Sequence, residues 1–167
     1  LIGPHKIERK GKKDLKLWCL TMIDPATGWF EMQQIENKTA AEVADTCEKT
    51  WFTRCPLPQR TILDRGTEFM AEFARMVKND CGLKLEPITT RNPQANAIIE
   101  RVHQTIGNVI RTFNVPAMDS NDPWTGTLAA AMFAARATHH TTPQASPVQL
   151  VFGRDAILNT THTTDWE

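Results

Sequence analysis

The most constraining feature of the sequence is a near-continuous apolar run, Leu-Lys-Leu-Trp-Cys-Leu-Thr-Met-Ile, over residues 15–23. A run of this composition predicts a β-strand that is buried on both faces. It ends at Asp24, and a Pro-Ala-Thr-Gly segment at 25–28 supplies typical turn residues. From 29 to 35 apolar and polar residues alternate, which predicts a hairpin partner strand. A strand buried on both faces needs covering layers on both sides of its sheet, which favours an α/β domain.

Alternating helix and strand patterns follow the hairpin. Thr39 and Glu42 have the spacing of a capping box and predict a helix that ends at Cys55-Pro56. Short apolar segments at 61–63 and 83–86 predict strands, with a helix over about 70–81 between them. The clearest helical signal is one apolar stripe, formed by Ile99, Val102, Ile106, Val109 and Phe113. With an Ala-rich helix over 124–138, this order predicts a mixed sheet flanked by helices.

Composition predicts three regions: a basic N-terminal arm (1–16), a core (17–154) and a loose, Thr-rich C-terminal tail (155–167). The arm either lies in solvent or contacts phosphate. Because Lys+Arg and Asp+Glu each number 19, no basic field covers the whole domain, and a nucleic-acid partner must be held by local patches.

Several classes of protein are excluded by simpler patterns. No apolar run approaches the roughly 18 residues that span a bilayer, so no membrane partner is expected. The four cysteines include no Cys-x-x-Cys pair, which predicts free thiols in a reducing compartment, nuclear or cytoplasmic. The N-terminus has no initiator Met and no signal-peptide pattern, and we expect a segment of a longer polyprotein.

Three carboxylates stand at positions that favour chemistry. Asp24 and Asp64 each follow an apolar strand segment, and Glu100 lies in the first turn of the striped helix. Side chains beyond strand ends line the functional crevice of many α/β sheets. Clustered carboxylates suit two Mg²⁺ or Mn²⁺ ions, which support in-line phosphoryl displacement. Taken singly, each carboxylate could be an ordinary turn, loop or helix-start residue; taken together they predict a metal-dependent site.

Longer motifs surround these carboxylates. They are Leu-Ile-Gly-Pro at 1–4, Thr-Met-Ile-Asp-Pro-Ala-Thr-Gly-Trp at 21–29, Leu-Asp-Arg-Gly-Thr-Glu-Phe at 63–69, Asn-Pro-Gln at 92–94, Ile-Glu-Arg-Val-His-Gln-Thr at 99–105 and Ser-Pro-Val-Gln-Leu-Val-Phe-Gly-Arg at 146–154. With these motifs, nearly the whole chain resembles the catalytic core of the integrases of retroviruses and long-terminal-repeat retrotransposons, especially gypsy-like elements. The most specific part is the Asp-Asp-Glu pattern with 35 residues between its last two members.

The resemblance implies a ribonuclease H-like fold: a five-stranded mixed sheet, its first three strands antiparallel, with helices on both faces. It implies a polynucleotidyl transferase that trims the 3′ ends of the element's DNA and joins them to target DNA. Asp24, Asp64 and Glu100 would hold two Mg²⁺ or Mn²⁺ ions, with Asp24 bridging them. A homo-oligomer and no small-molecule cofactor are also implied. The DNA-contacting residues would be Gln94, Asn96, His103, Gln104 and Arg111.

One departure from the family pattern leaves alternatives open. Ala97 stands where the family usually has Gly, which adopts backbone angles that Ala resists, so the mobility of this loop and full activity are in question. A nuclease or transposase on the same fold is one alternative, since fold and carboxylates alone do not separate these activities. The other is an inactive or domesticated copy that acts as a DNA- or protein-binding module.

Overall fold

The computed structural model describes residues 1–7, 15–63, 66–69, 71–87, 100, 102–104, 107–108 and 125–156. The strands are β1 (Ile2–Ile7), β2 (Leu15–Ile23), β3 (Phe30–Ile35), β4 (Arg60–Leu63) and β5 (Lys84–Pro87). The helices are α1 (Ala40–Cys47), α2 (Glu72–Arg75), α3 (described at 100, 102–104 and 107–108), α4 (Thr125–Ala137) and α5 (Pro147–Phe152). π-Helical turns extend α1 over Glu48–Phe52 and α2 over Met76–Asp80, and a 3₁₀ turn spans Thr67–Phe69.

The described strands form two sheets. β1, β2 and β3 are antiparallel in that order, and β4 pairs with β5 in parallel. The antiparallel arrangement of the first three strands agrees with the expectation, while the pairings join five strands as three and two. Residues 2–7 correct the expected basic arm: Ile2 lies opposite Cys19 and Ile7 opposite Leu15, so this stretch is a strand of the sheet. The expected tail lies outside the described residues from 157 onward.

Alternation along β2 gives the antiparallel sheet two different faces. On the first face Trp18, Leu20 and Met22 pack with α1 and α2, in a cluster that also includes Leu63 of β4. On the second face Cys19 and Ile23 pack with Phe30 and Met32 of β3, Leu128 of α4 and Val102 of α3. Both faces of β2 are therefore covered, as its continuous apolar sequence predicts.

Local capping explains where the helices begin and end. The Thr39 hydroxyl accepts the Glu42 N–H at 3.3 Å, so the predicted cap of α1 is confirmed. In the usual capping box the Glu42 carboxylate would accept the N–H of Thr39. Here it accepts the N–H groups of Glu36 and Asn37 instead, at 2.7 and 3.0 Å. Gly82, at φ +66°, ends the α2 segment in the left-handed conformation, as predicted for a C-terminal cap.

Polar contacts attach α4 to the outer edge of β3. Arg136 Nε donates to the Phe30 carbonyl at 2.7 Å, and the Met32 N–H donates to Met132 Sδ at 3.1 Å. The Arg136 guanidinium then reaches past this edge to the Glu31 carboxylate, at 2.6 Å. It also lies over the Trp29 ring, with Cζ 4.3 Å from the centroid. Glu31 is only 4% exposed, so this ion pair is buried.

All four cysteines are free, as predicted. Cys19 and Cys47 are buried, and burial raises the pKa of each thiol to about 12. Cys55 and Cys81 are half-buried. No helix within the described ranges is both long enough and apolar enough to cross a membrane.

Candidate active site

Asp24 forms the turn between β2 and β3. Its Oδ1 accepts the Ala26 N–H at 3.1 Å, and its Oδ2 accepts both the N–H and the hydroxyl of Thr27, at 3.2 and 2.6 Å. Gly28 has a φ of +72°, and its N–H donates a hydrogen bond of 2.8 Å to the Asp24 carbonyl, which closes the turn. An Asp carboxylate that accepts N–H groups two and three residues ahead is a common way to build a turn. Each carboxylate oxygen is therefore engaged within the turn.

The direction of β2 also separates Asp24 from the helix that carries Glu100. Asp24 continues the alternation of Trp18, Leu20 and Met22, which belong to the first face. α3 packs on the second face. The predicted grouping of Asp24 with Glu100 is thus not supported by the described contacts.

The 3₁₀ turn that follows β4 contains a buried carboxylate paired with an exposed lysine. Glu68, in the Leu-Asp-Arg-Gly-Thr-Glu-Phe motif, is 5% exposed, and its carboxylate lies 3.2 Å from Lys38 Nζ. Lys38 also lies over the Trp18 ring, at 4.7 Å from the centroid. A Cβ atom at Gly66 would lie 2.7 Å from Glu68 Cδ, so this position favours glycine for lack of space. Phe69 packs in the first-face cluster, which anchors the segment that follows Asp64.

α3 lies on the second face and is fixed there at two adjacent positions. Val102 packs against the second-face cluster. Half-buried His103 reaches β2, where its Nε2 lies 2.9 Å from the Thr21 hydroxyl. Glu100 and Gln104 are exposed on the same helix. His103, predicted to contact DNA, therefore also has a partner within the fold, and Gln104 is accessible to a partner from solvent.

The remaining predicted site residues lie outside the described residues. They are Asp64, Gln94, Asn96 and Arg111, and Ala97 lies there too. Asp64 directly follows Leu63, the last residue of β4. Within the described part of the chain, no group of three or more His, Cys, Asp or Glu side chains is placed to hold a metal ion. The predicted roles of Asp64, Gln94, Asn96 and Arg111 in metal or DNA binding stay predictions.

Sequence reasoning missed several residues that support this region. Thr21 reads as one more member of an apolar strand, and its partner His103 is 82 positions away. Glu31 and Arg136 are 105 positions apart in the sequence, so no local spacing signals their pairing. The available signal was polarity: Glu31 interrupts an otherwise apolar strand start, and a buried charge requires a partner.

Comparison with known proteins identifies solved structures with a similar fold. No protein-family model matches the chain. The crystal structure of the catalytic core domain of BIV integrase matches it with a TM-score of 0.66 at 18% identity, over 81% of this chain and 85% of that one. The chain has the fold of a retroviral integrase catalytic core. This integrase-core fold is of the ribonuclease H-like α/β type, and the resemblance seen in the sequence is confirmed.

Two further relatives extend the integrase-core likeness. The cryo-EM structure of a simian T-cell lymphotropic virus intasome, in complex with PP2A regulatory subunit B56 gamma, matches with a TM-score of 0.68 at 13% identity. That match covers 89% of this chain and 54% of the other. The retrovirus-related Pol polyprotein from transposon 412 of Drosophila melanogaster is 25% identical over 157 residues, 94% of this chain. The chain spans 12% of that polyprotein's length.

Proposed function

We propose that this chain is the catalytic core of a retroelement integrase, a polynucleotidyl transferase that acts on the element's DNA ends and on target DNA. The observation that carries the proposal is the integrase-core fold with Asp64 directly after β4 and Glu100 on a helix packed against the sheet. Fold alone does not determine activity. The 35-residue spacing of these two carboxylates, within motifs similar to those of integrases, supplies the chemical part of the argument.

Asp64 and Glu100 are the proposed ligands of a divalent cation, Mg²⁺ or Mn²⁺. Hard oxygen donors suit these ions, which keep several waters and take other ligands from phosphate. When bound, two such ions activate a hydroxyl nucleophile and stabilise the leaving oxygen. Asp24 does not fit this set, because Ala26 and Thr27 engage both of its carboxylate oxygens and its strand position belongs to the first face. We assign Asp24 to the turn instead.

The chain's own residues would hold the DNA and orient it. Gln94, Asn96, Gln104 and Arg111 are the proposed DNA contacts, with His103 beside them on α3. Exposed Gln104 follows Glu100 by one helical turn, so a DNA strand lying along α3 would contact both side chains. A homo-oligomer is part of the proposal, because one integration event joins two DNA ends.

The test compares four proteins in one assay. Wild type, Asp64→Asn, Glu100→Gln and Asp24→Asn are incubated with the element's terminal DNA and Mg²⁺ or Mn²⁺. End trimming, joining and the reversal of joining are measured at matched folded concentration. Asp64→Asn and Glu100→Gln should lower the joining rate by about a hundredfold or more, because a neutral amide is a poor ligand for a hard ion. Asp24→Asn should keep most activity.

The outcomes separate the alternatives. Loss of joining in Asp24→Asn equal to that in Asp64→Asn, in a folded protein, would restore Asp24 to the metal site. DNA binding by the wild type without trimming or joining would favour the inactive or domesticated module. Cleavage without joining would favour a nuclease of the same fold.

A further inference from the structure

We propose that Thr21 and His103 form a polar anchor that positions Glu100 relative to the sheet. The role of Glu100 rests on the proposed function, whereas the anchor itself rests on geometry. The Thr21 hydroxyl on β2 and His103 Nε2 on α3 are 2.9 Å apart, within hydrogen-bonding distance. Thr21 is 7% exposed, so this contact lies inside the interface between the sheet and the helix. His103 is thus a positioning residue for a carboxylate three residues away.

Helix geometry transmits this contact to Glu100. Residues three apart on an α-helix are surface neighbours, with Cβ atoms about 5–6 Å apart. Glu100 therefore lies one turn before His103, on nearly the same side of α3. Any rotation of α3 about its axis that moves His103 away from Thr21 also turns Glu100 away.

Two different kinds of contact fix α3 at adjacent positions. Val102 packs in the second-face cluster with Cys19, Phe30 and Leu128. Apolar burial is non-directional and tolerates small rotation or sliding of a helix. A hydrogen bond weakens steeply when its angle departs from linear, so the His103 contact selects one orientation. Val102 holds α3 against the sheet, and His103 sets its rotation.

The chemistry of the pair suits a contact that must persist. A threonine hydroxyl can donate one hydrogen bond and accept others, and a histidine ring nitrogen donates or accepts according to its tautomer. The same two atoms can therefore remain bonded with either tautomer. Burial adds to the constraint, since breaking the pair would leave a polar atom of Thr21 without this partner inside the interface.

Thr21 offers a closely matched pair of variants. Thr21→Val removes the hydroxyl while keeping the branched shape, and Thr21→Ser keeps the hydroxyl while losing a methyl group. We expect Thr21→Val to lower the joining rate constant by about tenfold and to raise the Mg²⁺ concentration needed for half-maximal rate. KM for DNA should change little. Thr21→Ser should restore most of the activity, although it packs less well.

Variants of His103 test the same contact from the side of the helix. His103→Phe should show the same defect, and the Thr21→Val/His103→Phe double variant should be no worse than either single variant, because both changes remove one contact. Exposed His139→Asn and Thr53→Val are matched controls away from this interface, and both should behave as wild type.

A measurement without metal or DNA tests the anchor directly. Amide hydrogen exchange at residues 102–108 should be faster in Thr21→Val than in Thr21→Ser, while exchange in β3 stays unchanged. Unchanged exchange, or equal activity of Thr21→Val and Thr21→Ser at matched folded concentration, would overturn the anchor. Failure of the proposed function looks different: Glu100→Gln would then join DNA as well as wild type, or wild type would not join it at all.

Discussion

The two faces of the antiparallel sheet are held by different kinds of contact. Among the described residues, the first-face cluster buries ten residues, which come from β2, β3, α1, β4, the 3₁₀ turn and the α2 segment. The second-face cluster buries four, Cys19, Phe30, Met32 and Leu128. Its helices add directional contacts: His103 to Thr21, and Arg136 to Phe30 and Glu31. Among these residues, apolar packing dominates on the first face, while directional polar contacts add to the packing of the second-face helices.

The largest expected effect comes from breaking the ion pair that α4 makes with β3. Arg136→Met should destabilise the protein by about 3–5 kcal/mol, because it leaves the Glu31 carboxylate buried without its cation. Urea unfolding followed by circular dichroism measures the change. The double variant Glu31→Leu/Arg136→Met should recover most of the loss, since no charge then remains buried. A single variant as stable as wild type would show that the pair is solvated in solution.

The next effect belongs to the first face. Leu20→Ala should cost about 2–5 kcal/mol, because a fully buried side chain leaves a cavity in the larger cluster. Leu20→Met, which conserves volume, should cost under about 1.5 kcal/mol. Both variants should join DNA normally at matched folded concentration. A joining defect in folded Leu20→Met would contradict the division of roles between the faces.

A smaller effect is expected beside Asp64. Gly66→Ala should destabilise by about 1–3 kcal/mol, because the new methyl group pushes the Glu68 carboxylate away from Lys38. Gly126→Ala is the matched control: no atom lies within 4 Å of its Cβ position in α4. That change should raise stability by about 0.4–1 kcal/mol, because alanine favours the helix. Thermal melts of the two variants should therefore move in opposite directions.

The smallest expected effect concerns the buried thiols, one on each face, which change the stability of the protein only in alkaline solution. Burial raises the pKa of Cys19, on the second face, and of Cys47, on the first, from 9.0 to about 12. Between these values the unfolded chain loses thiol protons that the folded protein keeps, so stability is complete below pH 9 and falls as the pH rises towards 12. Urea unfolding at several pH values measures this slope. The chain has no tyrosine, so no phenol titrates in this range.

Replacing the two thiols provides the control for that slope. The Cys19→Ala/Cys47→Ala variant should be less stable at pH 8 but should lose less stability between pH 9 and 11. An equal slope in both proteins would assign the alkaline loss to other groups, such as lysines. Native Cys19 and Cys47 should also react more slowly with thiol reagents than half-buried Cys55 and Cys81.

Local patterns predicted the elements of the fold well. The apolar run of β2, the Thr39 cap of α1, Gly82 after the α2 segment and the Ala-rich α4 all lie where the sequence places them. These signals succeed because each depends on residues within one or two turns. β1 was missed as a strand because Gly3-Pro4 and the charged residues after it read as an exposed arm, whereas pairing with β2 decides its conformation.

The site was less predictable, because it depends on which face each side chain occupies. Asp24 follows an apolar strand, as a catalytic carboxylate would, but the same position also suits a turn-forming residue. Its alternation with Leu20 and Met22 could have been counted from the sequence. What could not be known is that α3 would pack on the opposite face, because that depends on a contact between His103 and a residue 82 positions earlier.

The contacts of Arg136 and Met132 have a consequence for the behaviour of the protein at high concentration. β3 pairs only with β2 among the described strands, so no described strand pairs with the backbone groups on its other side. Such a strand is a template on which another chain can add and begin aggregation. Here the Phe30 carbonyl and the Met32 N–H are already bonded to α4. The helix thereby protects the protein from edge-to-edge association, without the prolines or outward-facing lysines that usually perform this task.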